Sequence, residues 1–117
     1  MPSVTAPGLA RRCGAVPLNR WVVIFENAMG NQELRDLHKD AHHAFLHENH
    51  NVIRLAGATR TGDIGEYSGA IWVIEGTSRT MAKQLADASP FFRQGVHTSY
   101  RIVWWGAAPG FESVRIT

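Results

Sequence analysis

Residues 69–75 read Gly-Ala-Ile-Trp-Val-Ile-Glu. Ala70, Trp72 and Ile74 alternate with Ile71 and Val73, so a strand over this stretch is apolar on both faces. Residues 21–25, Trp-Val-Val-Ile-Phe, form a second such run, β-branched and aromatic without a polar break. A third, over 97–105, carries Tyr100, Ile102, Val103, Trp104 and Trp105. Strands of this kind need cover on both sides of the sheet they form.

The segments between these strands supply cover for one side. Leu34, Leu37, Ala41, Ala44 and Phe45 recur at spacings of three and four, which predicts an amphipathic helix from Gln32 to about Asn49 with Asn31 as its N-cap. A strand over Val52 to Arg60 follows, with Ile53 and Leu55 on one face and Val52, Arg54 and Ala56 on the other. Gly57 inside it marks a bulge or a close approach to the backbone. Residues 61–68 read as a loop. Ser78, with Thr77 as a rival, caps a helix running to about Ala88, whose inward residues are Met81, Ala82, Leu85 and Ala86; Pro90 ends it. Residues 91–95 connect to the last strand. The order β-α-β-β-α-β is the ferredoxin-like arrangement of the α+β class, a four-stranded antiparallel sheet with two helices on one face. Two helices leave the other sheet face bare, so the pattern predicts a homodimer whose sheets pack face to face.

Composition narrows the function. The chain has 117 residues, 44% hydrophobic and 19% charged, enough for one domain with its own core. Its pI near 9.1 suggests an anionic partner, but Arg11, Arg12 and Arg20 stand in an acid-free N-terminal stretch. The remainder holds nine basic against ten acidic side chains. Nucleic-acid binding is therefore not expected. The longest apolar run is too short to span a bilayer, so no membrane partner is expected. The lone Cys13 fits a reducing compartment, and the expected location is the cytoplasm. Residues 1–19 read as an extension, 20–108 as the domain, and 109–117 as a tail in which Val114 and Ile116 could add an edge strand.

Five of the six histidines, His38, His42, His43, His47 and His50, fall within thirteen positions. Turning about 100° per residue, His38 and His42 border the predicted apolar face, while His43, His47 and His50 lie opposite it. Three readings fit the bordering pair. They could be zinc ligands at i, i+4, although no Glu follows His38 and no Cys pair accompanies them. They could be boundary residues bonded to a carbonyl. One could also be a general base at the mouth of a pocket between helix and sheet. No phosphate-binding glycine loop or serine-hydrolase motif occurs.

Several segments resemble the YciI-like family. Ala41-His42-His43-Ala44-Phe45-Leu46 is similar to its A-H-x-A-Y-L helix motif, and Ile53-Arg54-Leu55-Ala56-Gly57 to the strand that follows it. Gly69-Ala70-Ile71-Trp72-Val73 is similar to its G-x-L-W-V strand, and the segment from Ser89 to Val96 to its D-P-Y/F-x-x-x-G-L stretch. The resemblance implies a dimeric α+β barrel, similar to chlorohydroxyhydroquinone dehydrochlorinase and muconolactone isomerase-like proteins. It also implies a His and Asp dyad as acid and base. The family's His falls on His42, and its Asp on Ser89, which brings a hydroxyl without a charge. Asp87, two positions earlier, could substitute.

These readings give an expected function. A lyase or isomerase would act on a small cyclic or aromatic-derived acid or phenol, with no cofactor and no metal. His42 and Ser89 would be catalytic, and His38, Arg54 and His97 would contact substrate. The alternative is a non-catalytic dimer that binds a small ligand in the same cleft. A third reading is an oxygen-dependent monooxygenase of the same barrel type.

Overall fold

The sheet is built around Trp72, which is fully buried and meets the Phe25 ring edge-on at a centroid separation of 4.7 Å. The computed structural model describes residues 19–27 and 30–111. Cys13, nearly all of the N-terminal extension and the edge strand expected around Val114 and Ile116 lie outside the described residues. Four strands, β1 (Arg20–Asn27), β2 (Ile53–Thr59), β3 (Gly69–Glu75) and β4 (His97–Trp104), pair antiparallel in the order β2-β3-β1-β4. The helices are α1 (Gln32–Glu48), α2 (Arg79–Ala88) and the single turn α3 (Pro90–Arg93). The architecture is the expected α+β ferredoxin-like one, and β3 has the boundaries its sequence implies.

The central register pairs Val23 with Trp72 and Phe25 with Ala70. These four, with Ile74 and Ile53, pack against Ala82, Leu85 and Ala86 of α2. Each large side chain so buried contributes roughly 2–3 kcal/mol. Opposite them, Val22, Ile24, Ile71 and Val73 face the other side, together with Leu55, which is 53% exposed. At the end of the β1–β3 ladder Gly69 opposes Glu26. A Cβ on Gly69 would lie 1.9 Å from the Phe25 carbonyl oxygen, so only glycine lets the two strands close.

Several local expectations are corrected. Leu55 does not share a face with Ile53, because the β2–β3 register slips between them and Arg54 is the extra residue; a one-residue bulge sends following side chains to the opposite face. The bulge thus falls at Arg54, not Gly57. Met81 is 42% exposed while Ala82, Leu85 and Ala86 are buried. Residues 91–95 do not simply connect, since Phe91 sits in α3 and is buried. The Asn31 side chain makes no capping bond; its Nδ2 donates instead to the Val96 carbonyl at 2.6 Å and fastens α1 to the chain entering β4. Ser78 does cap α2, its Oγ accepting from the Met81 N–H at 3.1 Å.

The last correction concerns α1. Leu37 is 74% exposed, Ala41 and Ala44 are exposed, and the residue it buries is His42. The half-buried residues Arg35, His38, Phe45 and Asn49 share that face. The inward face is therefore turned by roughly 80° from the apolar stripe, at about 100° per residue. The cause is tertiary. His42 lies flat on Phe91 of α3, and a cavity separates much of α1 from β2 and β3. The helix rests on another helix and presents a mixed polar face to open volume.

Candidate functional site

The cavity has a volume of about 490 Å³, within the range of small-molecule sites. One wall is α1, through Arg35, Asp36, Lys39, His42 and His43. The other is β2 and β3, through Ala56, Gly57, Ala58, Ala70 and Trp72; Tyr67 and Phe91 also line it. Gly57 brings bare backbone to the wall, and a Cβ added there would meet nothing within 4 Å.

His42 is held by stacking. Its ring lies 3.9 Å from that of Phe91 at an interplanar angle of 3°. Its Nδ1 is buried without a hydrogen-bond partner, which leaves Nε2 as the nitrogen that can reach a ligand. Burial, reinforced by the neighbouring His43 and Arg35 charges, pushes its pKa down to about 4. The imidazole is neutral at pH 7 and so able to accept a proton.

His97 stands behind it. Its ring stacks on Phe25 at 4.6 Å and meets His42 edge-on at 6.5 Å. Asn27 Nδ2 donates to the Tyr67 carbonyl at 3.3 Å, which orients the amide so that Oδ1 accepts from His97 Nδ1–H at 2.6 Å. His97 Nε2 is buried and unpartnered. Protonating it would bury an N–H with no acceptor, and burial, then His42 and Arg35, push the pKa down to about 3.

Ser89 is fully buried at the junction of α2 and α3, two residues before Phe91. Its Oγ has no hydrogen-bond partner, so no bond joins it to His42. Asp87 is engaged elsewhere, accepting from Tyr100 Oη at 2.5 Å and Lys83 Nζ at 2.8 Å. His38 is half-buried on α1, and Arg54 donates to the His50 carbonyl at 3.1 Å. Neither lines the cavity, nor does His97.

Arg35, Asp36, Lys39, Tyr67 and Phe91 are wall residues that escape a reading of the sequence alone. Arg35 carries a signal in hindsight, since it precedes His42 by seven residues, two helical turns, and so shares its face. Its guanidinium carbon lies 4.4 Å from the Tyr67 ring centroid and 5.0 Å from that of Phe91. Tyr67 sits in a loop, where no periodicity marks it. Among the described residues no group of three or more His, Cys, Asp or Glu side chains could hold a metal ion, and no helix is long and apolar enough to cross a membrane.

A family model for the YCII-related domain matches residues 20–106. No curated protein sequence matches the chain. Among solved structures, the chain is similar to 5-chloro-2-hydroxyhydroquinone dehydrochlorinase (TftG) from Burkholderia phenoliruptrix AC1100, in complex with 2,5-dihydroxybenzoquinone. The TM-score is 0.68 at 18% identity, covering 76% of this chain and 95% of that one. At that identity the likeness concerns the fold.

Proposed function

The chain belongs to the YCII-related domain family, and on that premise we propose that it is a cofactor-independent lyase or isomerase acting on a small cyclic or aromatic-derived substrate. The observation that carries this reading is the neutral imidazole of His42, stacked on Phe91 with one nitrogen sealed and the other left for the cavity. His42 Nε2 takes a proton from the substrate and returns it at the product stage, or loses it to solvent when an anion such as chloride leaves. Ser89, whose hydroxyl makes no bond to the imidazole, would position it only through the Phe91 turn that it precedes. His97 backs His42 through the ring contact; His38 and Arg54 would reach substrate only beyond the cavity walls of one chain. The working unit is a homodimer in which the exposed sheet face of Leu55 and Ile71 meets its copy.

The test begins with 5-chloro-2-hydroxyhydroquinone, the compound named for the dehydrochlorinase of similar fold, with chloride release as the readout. It extends to ring acids and lactones, with solvent-deuterium exchange followed by mass spectrometry. General acid–base catalysis contributes typically 10²–10⁴-fold, so His42→Ala should lower turnover by about that factor. A variant with the wild-type rate would remove His42 from the mechanism. The non-catalytic reading is favoured by one observation: no carboxylate bonds to His42 Nδ1 among the described residues. It predicts ligands that stabilise the protein while no product forms.

A further inference from the structure

Arg35 is a cation with no ion-pair partner among the described residues, and the Asp36 carboxylate acts on it through space without bonding to it. The Arg35 Nη1 is buried with no hydrogen-bond partner, and no ion pair or side-chain hydrogen bond engages it among the described residues. A guanidinium offers five N–H donors in one plane, and removing them from water uncompensated is costly. Buried polar groups left unsatisfied in a cavity wall call for an explanation. Asp36, the one carboxylate among the described residues that line the cavity, accepts from Gln32 Nε2 at 2.9 Å and does not bond to Arg35. Facing the same volume are Lys39 and the imidazoles of His42 and His43. Two cations therefore stand against one acid whose partner is already assigned.

We propose that the cavity takes a planar organic anion, a carboxylate or phenolate borne on a single ring, and that Arg35 holds its charge and thereby sets the substrate class. This rests on the reading of the cavity as the substrate site, while assigning recognition to a residue that reading does not use. Tyr67 and Phe91 lie beside the guanidinium at 4.4 and 5.0 Å, which leaves its N–H edges to make in-plane bonds, the geometry that matches a carboxylate fork. Phe91 lies 3.9 Å from His42 as well, so the guanidinium carbon and the imidazole centroid are no more than about 9 Å apart. A six-membered ring with its anion on Arg35 has its far carbons within reach of Nε2. Burial lowers the Arg35 pKa from its ordinary value, yet the group remains a cation at neutral pH. Charge on Arg35 is also one cause of the low His42 pKa. A bound anion offsets it, so the base strengthens when substrate is present.

The experiment compares 2,5-dihydroxybenzoate with 2,5-dihydroxybenzamide, isosteric probes that differ in charge, by calorimetric titration of the full chain. Wild type should bind the acid at least tenfold tighter, about 1.4 kcal/mol. Arg35→Gln should bring the two within threefold of each other, while Lys39→Gln and His42→Gln keep the preference. Should Arg35→Gln fail to fold, Arg35→Lys serves instead, keeping the charge but losing the fork and most of the preference. A second readout is the His42 Cε1 proton shift, whose titration should move upward when the acid is bound. Equal binding of the two probes by wild type, no binding of either, or an undiminished preference in Arg35→Gln overturns the proposal. A loss of preference in Arg35→Gln beside undiminished turnover in His42→Ala would uphold the anion site while removing the base.

Discussion

Two neutral imidazoles buried 6.5 Å apart make stability depend on pH, and the size of the effect follows from their surroundings. Unfolded, each histidine titrates near 6.5. Folded, His42 is pushed down to about 4 and His97 to about 3, both chiefly by burial. Below 6.5 the unfolded chain therefore takes up protons that the folded chain refuses, and stability falls with falling pH. The full contribution is present above pH 6.5 and is lost through the window from 6.5 to about 4 for His42 and to about 3 for His97. At pH 5 linkage gives an upper bound of about 2 kcal/mol for each. The cavity admits solvent to one side of His42, so screening reduces its share. A combined loss of roughly 2–4 kcal/mol between pH 7.5 and pH 5 is expected, a large part of the 5–15 kcal/mol that holds a domain together. Urea unfolding at the two pH values measures it, with the His42→Gln, His97→Gln double variant as control. NMR titration of the two Cε1 protons in the unmodified protein gives an independent check. A wild-type loss below about 1 kcal/mol, or an equal loss in the double variant, would refute the assignment of buried neutral histidines.

Three further perturbations test the fold and the site. Gly69→Ala drives a Cβ into the Phe25 carbonyl across the β1–β3 ladder and should cost about 3 kcal/mol; Gly57→Ala, with open space around it, should leave the melting temperature nearly unchanged. Ile71→Lys on the exposed sheet face should convert the expected homodimer to a monomer by sedimentation velocity, and a wild-type chain already monomeric at 13.0 kDa would dismiss that interface. Ser89→Asp installs the dyad that the family resemblance implies: the His42 pKa should rise, and a gain of several hundredfold in turnover would place the natural chain outside the catalytic subgroup.

The fold was legible because its decisive strands are long, apolar and free of ambiguity. The residues 69–75 give β3 its full extent, and the bounds of the helices come within a residue or two of their caps. What the pattern could not supply is the bulge at Arg54, since a slipped register leaves no mark in residue types, only in pairing. Nor could it supply the turn of α3, four residues long, too short for a period to register. For the site, the helical wheel brought His42 close to the inward face, but it weighted Leu37, Ala41 and Ala44 as core when they are exposed.

That misplacement has a physical cause that bears on function. Burying apolar area is the dominant favourable contribution in folding, so a helix normally turns its apolar stripe inward. In α1 the face that looks toward the sheet instead carries Arg35 and His42, both desolvated and both with a buried nitrogen unpartnered. Leaving buried donors and acceptors unsatisfied costs of order 1–3 kcal/mol for each group, and nothing in the strand pairing requires it. Local sequence rules fail most often where a site has displaced ordinary packing. The helix rests on Phe91 through His42 and on Trp72 through Phe45, and along Arg35, Asp36 and Lys39 it faces open volume, which keeps a guanidinium and an imidazole apart from their usual partners. An anion that pairs with Arg35 would relieve that group's share of the cost on binding, whereas an apolar ligand of the same size would not. Selectivity for a charged ring would then follow from what the folded chain leaves unpaired, and the same unpaired nitrogens explain why the wheel pointed elsewhere.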